Sequence, residues 1–451
     1  MKYEEALEYM DECAAYGIVP GLDNMRELMH RLSDPQDALK FIHIAGTNGK
    51  GSIVANISSV LSGVGIRTAR YTSPAVFDYR ERYEINGRMI SRNKLASYIS
   101  LLRDICDRMV EDGYPHPTQF EIETAIAFKY FYDSKAEIVL LETGMGGTLD
   151  ATNIVTTTLM EVMAHIDLDH MQYLGETLRE IASCKAGIIK PDTVVVTGPQ
   201  SEEVSAVIRE TSDRLNCSLC EVYPDNITGI RLLKNKRRFR LIGLPSQFGI
   251  PEGTVYETPL MGSCQVENTA VAVAALFCLK NRYGKEIIRL GRLTADRIRD
   301  ELALVEWRGR FQKVNDKPLL IIDGAHNVDA AMRLRETVDE LYHDRRKIYI
   351  VGMFRDKPVK EVLDIMIKDG EMVFTVATPG NKRALESVKL AQIAGEINPN
   401  TTSCDSVEEA VEMAGLMAGD TGVIICFGSL AYLSRVSCAA LQKWTSDDRR
   451  K

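Results

Sequence analysis

Short apolar runs rich in β-branched residues alternate with longer amphipathic segments along most of this chain. The apolar runs predict strands at residues 41–45, 137–141, 193–197, 319–322, 347–351, 372–376 and 423–427. The segments between them predict helices that include residues 52–64, 177–188 and 329–342. Repeated strand–helix–strand units form mostly parallel sheets that are covered by helices. The alternation therefore predicts an α/β fold.

Two stretches interrupt this pattern and indicate how the chain is divided. Residues 225–261 hold short alternating runs between turn residues, which predicts a small antiparallel patch. Two predicted helices, residues 266–283 and 294–304, are followed by an irregular stretch, residues 306–310, after which a new strand–helix alternation begins. Because 451 residues exceed what one hydrophobic core usually serves, we predict two domains, residues 1–299 and 300–451.

Charge and composition exclude several classes of protein. The net charge is −8 and the basic residues are largely interspersed with acids, so we expect no nucleic-acid partner. No apolar run reaches the roughly twenty residues of a membrane span, and residues 1–5 resemble neither a signal peptide nor a transit peptide. Cys217 and Cys220 have C-x-x-C spacing without a second pair, which favours two structural thiols over a zinc or redox site. We expect a cytoplasmic protein without a membrane partner.

A glycine-rich stretch lies between the first predicted strand and the helix after it. It reads Gly46-Thr47-Asn48-Gly49-Lys50-Gly51-Ser52. A turn of this kind directs backbone N–H groups and a helix N-terminus at one point, which suits a phosphate group. Lys50 would add a positive charge and the hydroxyl of Ser52 would reach Mg²⁺. The match to the usual phosphate loop is imperfect because Ile44 replaces the first glycine and Gly51 separates lysine from serine, so an ordinary glycine-rich turn stays an alternative.

An acidic residue, Glu142, follows the next apolar strand and precedes the glycine-rich segment 143–147. In nucleotide-hydrolysing folds an acid at this end of a parallel strand holds Mg²⁺, although it can also cap a helix. The glycines of this segment lack the third glycine of a dinucleotide-binding fingerprint, which argues against NAD.

Two further side chains are candidates for chemistry. His170 ends a stretch, residues 165–170, that also contains two aspartates, so it could complete a Mg²⁺ site; a structural histidine is equally compatible. Lys185 lies in a mostly apolar stretch, where it is either a lysine that reaches back to solvent or an amine whose pKa is lowered by burial.

Six motifs occur in the order found in one enzyme family. They are residues 43–52, Tyr71-Thr72-Ser73-Pro74, Phe120-Glu121, residues 144–153, residues 185–190 and Asp323-Gly324-Ala325-His326-Asn327. On these motifs the chain strongly resembles the folylpolyglutamate synthase family, whose bacterial members are often also dihydrofolate synthases and which belongs with the Mur ligases of cell-wall synthesis. The resemblance covers nearly the whole chain.

The resemblance implies a fold and a reaction. We expect a P-loop ATPase-like domain with a mostly parallel sheet at residues 1–299, and a smaller Rossmann-like glutamate-ligase domain at residues 300–451, with the site between them. ATP would phosphorylate a carboxylate of a reduced folate or of dihydropteroate, and the amine of L-glutamate would displace the phosphate. Phosphoryl transfer depends on positioning and charge neutralisation, which explains the need for two Mg²⁺ ions. The family is usually monomeric.

The resemblance also assigns roles to residues of this chain. The implied Mg²⁺ ligands are Ser52, Ser73, Glu142, His170 and Lys185, the last as a carbamate. The implied ATP-binding residues are Gly46, Thr47, Asn48, Gly49, Lys50, Gly51, Ser52, Asn268, Arg310 and Asp323. Residues lining the pterin pocket would be Phe120, Glu121 and Thr124. Lys50, His170, Lys185 and His326 would serve catalysis, His326 by facing the incoming glutamate. Ala75 stands where many relatives carry histidine, which bears on substrate preference.

Two alternatives to this assignment remain. A Mur-type ligase that joins amino acids to a cell-wall nucleotide shares the chemistry, but such enzymes usually carry Gly-Lys-Thr where this chain has Gly49-Lys50-Gly51-Ser52. A non-catalytic nucleotide-binding protein would have no use for Glu142, His170 and Lys185 together.

Overall fold

The computed structural model describes residues 1–17, 19 and 21–447. The chain forms two compact units. The first comprises residues 1–259 and 265–305, and the second comprises residues 260–264 and the chain from Glu306 onward. The short segment 260–264 thus belongs to the second unit although it precedes a helix of the first, an excursion that the sequence pattern does not reveal.

The first unit is built on an eight-stranded sheet. Its strands are β1 (Phe41–Ala45), β2 (Thr68–Tyr71), β3 (Tyr83–Ile85), β4 (Arg88–Met89), β5 (Ile138–Glu142), β6 (Thr158–Met163), β7 (Val194–Thr197) and β8 (Ser218–Glu221). They lie in the order β4-β3-β2-β5-β1-β6-β7-β8, and only β3 and β4 are antiparallel to their neighbours. The predicted mostly parallel sheet is confirmed. Strand β1 is central and fully buried, which fits its sequence, because every residue except His43 is apolar.

Ten helices accompany this sheet in the described part of the first unit. They are α1 (Tyr3–Cys13), α2 (Asp23–Arg31), α3 (Lys50–Gly63), α4 (Arg92–Glu111), α5 (Gln119–Asp133), α6 (Met171–Leu174), α7 (Leu178–Ala186), α8 (Glu202–Arg214), α9 (Gln265–Tyr283) and α10 (Ala295–Leu302). One cluster of buried side chains lies between the sheet and α1, α2, α4 and α5, and another joins β6 and β7 to α7 and α8. Each fully buried large apolar side chain stabilises the fold by ~1.5–3 kcal/mol, so these two layers hold the sheet.

A separate three-stranded antiparallel sheet accounts for the irregular region of the sequence. Its strands are β9 (Ile227–Leu233), β10 (Lys236–Leu241) and β11 (Val255–Thr258), in the order β11-β10-β9. The predicted antiparallel patch is confirmed. It also carries a run of six basic residues between positions 231 and 240 with no acid among them, an exception to the scattered charges of the rest of the chain. Glu257 on β11 neutralises part of this run by pairing with Lys236 and Arg238.

The second unit contains a six-stranded sheet. Its strands are β12 (Gln312–Asp316), β13 (Leu319–Ile322), β14 (Lys347–Val351), β15 (Met372–Thr375), β16 (Thr401–Ser403) and β17 (Val423–Phe427), and its helices are α11 (Val328–Tyr342), α12 (Val359–Met366), α13 (Ser387–Gly395), α14 (Val407–Ala418) and α15 (Leu433–Asp447). The order is β12-β13-β17-β14-β15-β16, with β12 antiparallel to β13 and the other strands parallel. This is the expected smaller α/β unit.

Two further expectations are addressed by the fold. Cys220 is buried and the Sγ atom of Cys217 lies 3.1 Å from the carbonyl oxygen of Lys190, and the structure describes both as reduced thiols. Among residues 1–17, 19 and 21–447, no single helix is both long enough and apolar enough to cross a membrane.

Candidate active site

The glycine-rich loop turns sharply between β1 and α3. Gly46 and Gly49 have φ angles of +153° and +91°, which side chains of L-residues rarely adopt. A Cβ atom on Gly46 would lie 2.7 Å from the Cβ atom of Ala164, and one on Gly49 would overlap the amide of Asn268. Both glycines are therefore required by the backbone and by close packing. The contact also places Asn268, a residue expected to bind ATP, directly beside the loop.

The segment that follows β6 holds this loop in place. The N–H groups of Thr47 and Asn48 donate to the carbonyl oxygen of His165 at 2.8 and 3.1 Å. The Thr47 hydroxyl donates to the carbonyl oxygen of Asp167 at 2.8 Å and accepts from the Asp167 N–H at 3.0 Å. The loop is thus ordered by four bonds to one neighbouring segment.

Helix α3 begins directly at the loop and offers its N-terminus. Its first closing bond runs from the Ile53 N–H to the Gly49 carbonyl at 3.0 Å, so the N–H groups of Gly51 and Ser52 have no carbonyl partner within the helix. Ser52 itself is buried. A helix N-terminus that ends in a glycine turn favours an anion through these N–H groups and the helix dipole.

Two lysines meet at the first residue of the loop. The Nζ atoms of Lys50 and Lys185 each lie 3.0 Å from the carbonyl oxygen of Gly46. Burial, with a further contribution from the charge of Lys50, lowers the pKa of Lys185 to about 7, although Asp169 and Asp150 oppose the shift. The amine of Lys185 is therefore largely neutral at mildly alkaline pH. Of the two alternatives left by the sequence, the structure supports a buried amine rather than a lysine extended to solvent.

Two of the expected Mg²⁺ ligands lie at the carboxyl ends of neighbouring parallel strands. Glu142 is the last residue of β5, is buried and pairs in register with Ile44 of β1. The N–H of Thr143 donates to the carbonyl of Ile44 at 3.0 Å, which fixes Glu142 next to the glycine-rich loop. Ser73 comes two residues after β2, which is parallel to β5. Carboxyl ends of parallel strands meet at one sheet edge, so both residues lie at the edge that carries the loop.

His170 lies beyond the carboxyl end of β6, in a left-handed backbone conformation with φ +53°. Its N–H donates to the Oδ1 atom of Asp169 at 2.8 Å, and its Nε2 atom lies 3.9 Å from Oδ2 of the same carboxylate. His170 thus shares the sheet edge with the loop and has an acid beside it. Its assignment as a metal ligand remains a prediction.

The residues expected to line a pterin pocket lie at the start of α5. The ring of Phe120 is partly exposed, packs against Gly144 and lies 6.2 Å from the ring of Tyr71. Glu121 accepts the N–H and the hydroxyl of Thr118 at 2.7 and 2.9 Å, as the acid of a capping box. Thr124 is fully buried. Glu121 therefore caps α5 and Thr124 packs in the interior. Phe120 is the partly exposed residue of these three.

Three residues implicated in the second unit form a local cluster. The Asp323 carboxylate accepts from the N–H groups of Phe311 and Ala325 at 2.7 and 2.8 Å. Burial raises the pKa of Asp323, and the charge of Arg310 opposes that shift. His326 Nδ1 lies 2.8 Å from the carbonyl oxygen of Gly324, which assigns the proton to Nδ1. Two segments, residues 309–311 and 323–326, thus bring Arg310, Asp323 and His326 together.

The sequence did not single out two acids that the structure places in the site. Asp169 acts electrostatically on Lys185 and touches His170. Asp150 is buried and accepts from the N–H groups of Met145 and Thr152 at 2.8 and 3.0 Å, so it closes the loop that follows Glu142. Asp150 lies inside the motif at residues 144–153 and Asp169 in the stretch 165–170, but only the fold shows what they contact.

Two protein families match this chain. Residues 44–276 match the Mur ligase middle domain, and residues 309–430 match the Mur ligase glutamate ligase domain. The first match spans more than half of the 451 residues.

Curated relatives and a solved structure extend the match to nearly the whole chain. The chain is 30% identical over 441 residues to a dihydrofolate synthase/folylpolyglutamate synthase of Bacillus subtilis (strain 168), covering 96% of this chain and 98% of that protein. It is 30% identical to a folylpolyglutamate synthase of Lacticaseibacillus casei, with 85% and 87% of the two chains covered. The Mycobacterium tuberculosis folylpolyglutamate synthase complexed with ADP and AMPPCP superposes with a TM-score of 0.84 at 29% identity, covering 98% of each chain. The chain therefore belongs to the folylpolyglutamate synthase and dihydrofolate synthase family, acid–amino-acid ligases of the Mur ligase superfamily.

Proposed function

We propose that this protein attaches L-glutamate to a carboxylate of a reduced folate in an ATP-dependent reaction that passes through an acyl phosphate. The observation that carries the proposal is the convergence of Lys50 and Lys185 on the carbonyl oxygen of Gly46, within a chain of this family. A buried amine with a pKa of about 7 beside a phosphate loop is costly for folding and serves no purpose in passive nucleotide binding.

In the first step, an oxygen of the folate carboxylate attacks the γ-phosphorus of ATP and ADP leaves. The N-terminus of α3 and the ammonium of Lys50, which lies at the first residue of the loop, would face the phosphates and neutralise charge that builds on the transferring group. The bonds from Thr47 and Asn48 to His165 hold the loop rigid, so its N–H groups are oriented before the substrate arrives.

In the second step, the neutral amine of glutamate attacks the acyl carbon. A C–N bond forms, the C–O bond to phosphate breaks, and the proton that the nitrogen loses passes to the departing phosphate. His326 is our candidate for contacting the glutamate, as the family resemblance implies; its ring is oriented by the bond from Nδ1 to the carbonyl oxygen of Gly324. Arg310 and Asp323, in the same cluster, are our candidates for contacts with ATP.

The residues of the first unit fit Mg²⁺ and a carbamate. Ser52, Ser73, Glu142, His170 and Lys185 would hold the metal. The buried oxygen donors of Ser52 and Glu142 suit a hard cation, and a neutral buried amine can react with CO₂. When bound, Mg²⁺ supplies charge neutralisation at the phosphates. A carbamate would turn Lys185 into an anionic oxygen donor and remove its repulsion by Lys50.

Incubation with ATP, Mg²⁺, L-glutamate and tetrahydrofolate tests the proposal. We expect ADP release that depends on both glutamate and folate, and a folate product longer by one glutamyl residue. Nucleotide binding without turnover on any folate or pteroate would support a non-catalytic protein. Turnover with a cell-wall nucleotide and an amino acid instead would support a Mur-type ligase.

The same assay with dihydropteroate separates the two activities in the name of the Bacillus subtilis relative. We propose that dihydropteroate also reacts, since 98% of that relative is covered by this chain. We further propose that the protein is cytoplasmic and monomeric. Sedimentation at assay concentrations tests the oligomeric state.

A further inference from the structure

Asn153 makes three side-chain hydrogen bonds in a buried position next to the site. It belongs to a short 3-10 helix, Ala151–Ile154. Its Nδ2 donates to the carbonyl oxygens of Thr148 and Gly187, both at 3.1 Å, and its Oδ1 accepts from the Nζ of Lys190 at 2.7 Å. A lysine ammonium can only donate, so Oδ1 must face Lys190 and the amide orientation is determined.

The bonds of Asn153 reach both sides of Lys185. Gly187 follows that lysine by two residues. Thr148, which accepts from Asn153, in turn donates its N–H and its hydroxyl to the carbonyl oxygen of Cys184 at 2.9 and 3.0 Å. The backbone is thereby held immediately before and shortly after Lys185.

Lys190 connects this arrangement to the sheet. Its N–H donates to Oε1 of Glu161 on β6 at 3.2 Å, and the other oxygen of that carboxyl group accepts from the Thr193 hydroxyl at 2.6 Å. Glu161 is fully buried in the central part of the sheet. Through Lys190 and Glu161, the position of Asn153 is therefore fixed by hydrogen bonds to a buried strand of the sheet.

We propose that Asn153 is a positioning residue for the ligase reaction: it holds the last turn of α7 so that the amine of Lys185 stays within hydrogen-bond distance of Gly46. The bond from Lys185 to Gly46 is 3.0 Å long and joins residues 139 positions apart, so it depends on how α7 is placed against the loop. A displacement of about 1 Å in a catalytic group can cost about 10²-fold in rate. The catalytic part of this inference rests on the proposed function, whereas the placement of α7 does not.

The test compares Asn153→Ala with a matched variant in the second unit, Asn398→Ala. Asn398 is also buried, donates from Nδ2 to two carbonyl oxygens, those of Ile367 and Gly370 at 2.8 Å each, and accepts one N–H, that of Asn400 at 3.0 Å. We expect Asn153→Ala to lower kcat at least about 30-fold with the KM for ATP changed less than about 3-fold, and Asn398→Ala to leave kcat within about 3-fold. Equal losses of kcat in the two variants would reduce Asn153 to a structural role and overturn the proposal.

A second readout is independent of turnover. In the folded wild-type protein Lys185 is buried, so an amine-reactive reagent followed by mass spectrometry should label it slowly. We refer to the side-chain hydrogen bonds of Asn153, together with those from Thr148 to Cys184, as the brace. We expect Asn153→Ala, but not Asn398→Ala, to raise labelling of Lys185 at least about tenfold, since loss of the brace exposes the amine. Unchanged labelling of Lys185 in Asn153→Ala would overturn the proposal. If the wild-type protein ligates no glutamate, only the proposed function fails, and the labelling still tests the placement of α7.

Thr148→Val covers the case in which Asn153→Ala does not fold. Thr148 is exposed, and this change removes only the hydroxyl bond to Cys184 while the backbone bond stays. We expect kcat to fall about 3- to 10-fold and labelling of Lys185 to rise, because one hydrogen bond of the brace is lost. Wild-type values for both would contradict the brace.

Discussion

The side-chain amine of Lys185 donates a hydrogen bond of 3.0 Å to the carbonyl oxygen of Gly46, the first residue of the phosphate loop. Lys50 donates to the same oxygen at the same distance. Burial disfavours the charged form of Lys185, and repulsion by the charge of Lys50 adds to this effect, so the pKa of Lys185 falls to about 7. A reactive amine is thus maintained beside the position expected for the nucleotide.

Replacement of Lys185 by alanine should abolish turnover while the protein stays folded. We expect kcat to fall at least about 100-fold, because the carbamate that would hold Mg²⁺ cannot form, and the KM for ATP to change less. Steady-state kinetics with circular dichroism as the folding check measure both. Added acetate or propionate should restore part of the activity by occupying the vacated space.

The matched control for that change is Lys280→Ala. Lys280 also donates to a backbone carbonyl, that of Leu293 at 2.7 Å, but lies near the end of α9, twelve residues after Asn268. We expect it to retain kcat within about 3-fold. Unchanged activity in Lys185→Ala would remove the carbamate from the account.

Replacement of Lys50 by alanine should reduce both chemistry and nucleotide binding. Lys50 supplies the positive charge nearest the start of α3, so we expect kcat to fall about 10²- to 10³-fold and ATP to bind more weakly. Rapid-quench measurement of ADP formation, with calorimetry for ATP, separates the two effects. An effect on binding alone would favour a nucleotide-binding protein without catalysis.

The stability of the protein should depend on pH through Glu161. Burial raises the pKa of this carboxyl from 4.5 to about 8, opposed mainly by the hydrogen bond from Thr193. Between these two pH values the unfolded chain has released a proton that the folded protein keeps, so the free energy of unfolding falls as pH rises. From pH 5.5 to 7.5 we expect the wild type to lose about 2 kcal/mol more than Glu161→Gln in urea unfolding.

A surface acid provides the comparison for Glu161. Glu210 is exposed and pairs with Arg179 at the surface, so Glu210→Gln should keep the wild-type dependence on pH. If Glu161→Gln and the wild type lose stability in parallel over this range, the buried carboxyl is not the group that titrates.

Arg310 should affect ATP more than folate. Its guanidinium lies over Gly324 and next to Asp323, in the cluster whose residues the family resemblance assigns to ATP. We expect Arg310→Ala to raise the KM for ATP about tenfold and the KM for folate less than about 3-fold. The opposite order in steady-state kinetics would show that Arg310 belongs to the folate side of the reaction.

The parallel strands were predictable from sequence because burial on both faces makes them short, apolar and sharply bounded. The predicted strands at residues 41–45, 319–322, 347–351 and 423–427 coincide with β1, β13, β14 and β17. Helix α3 was expected from residue 52 and begins at Lys50, because Gly49 already provides the positive φ that ends the turn. Strand β5 was expected to end before Glu142 and includes it.

The candidate site was predictable only in part. The phosphate loop, Glu142 and Lys185 belong to recognisable motifs, and the fold brings them to one sheet edge or into contact. The bond from Lys185 to Gly46 joins residues 139 positions apart and that from Asn153 to Gly187 joins residues 34 positions apart, and local patterns carry no information on such pairs. The roles of Arg310, Asp323 and His326 came from the family resemblance, and their binding roles stay predictions.

Transfer of an oxygen isotope tests the central claim most directly. Tetrahydrofolate labelled with ¹⁸O in its side-chain carboxylates is incubated with the protein, ATP, Mg²⁺ and L-glutamate, and the inorganic phosphate is examined by mass spectrometry. If an acyl phosphate forms, one labelled oxygen passes from the carboxylate to each phosphate released, because the C–O bond breaks when glutamate attacks. Phosphate without ¹⁸O, released while the folate gains a glutamyl residue, would contradict this mechanism. No release of phosphate with any folate would contradict the ligase assignment itself.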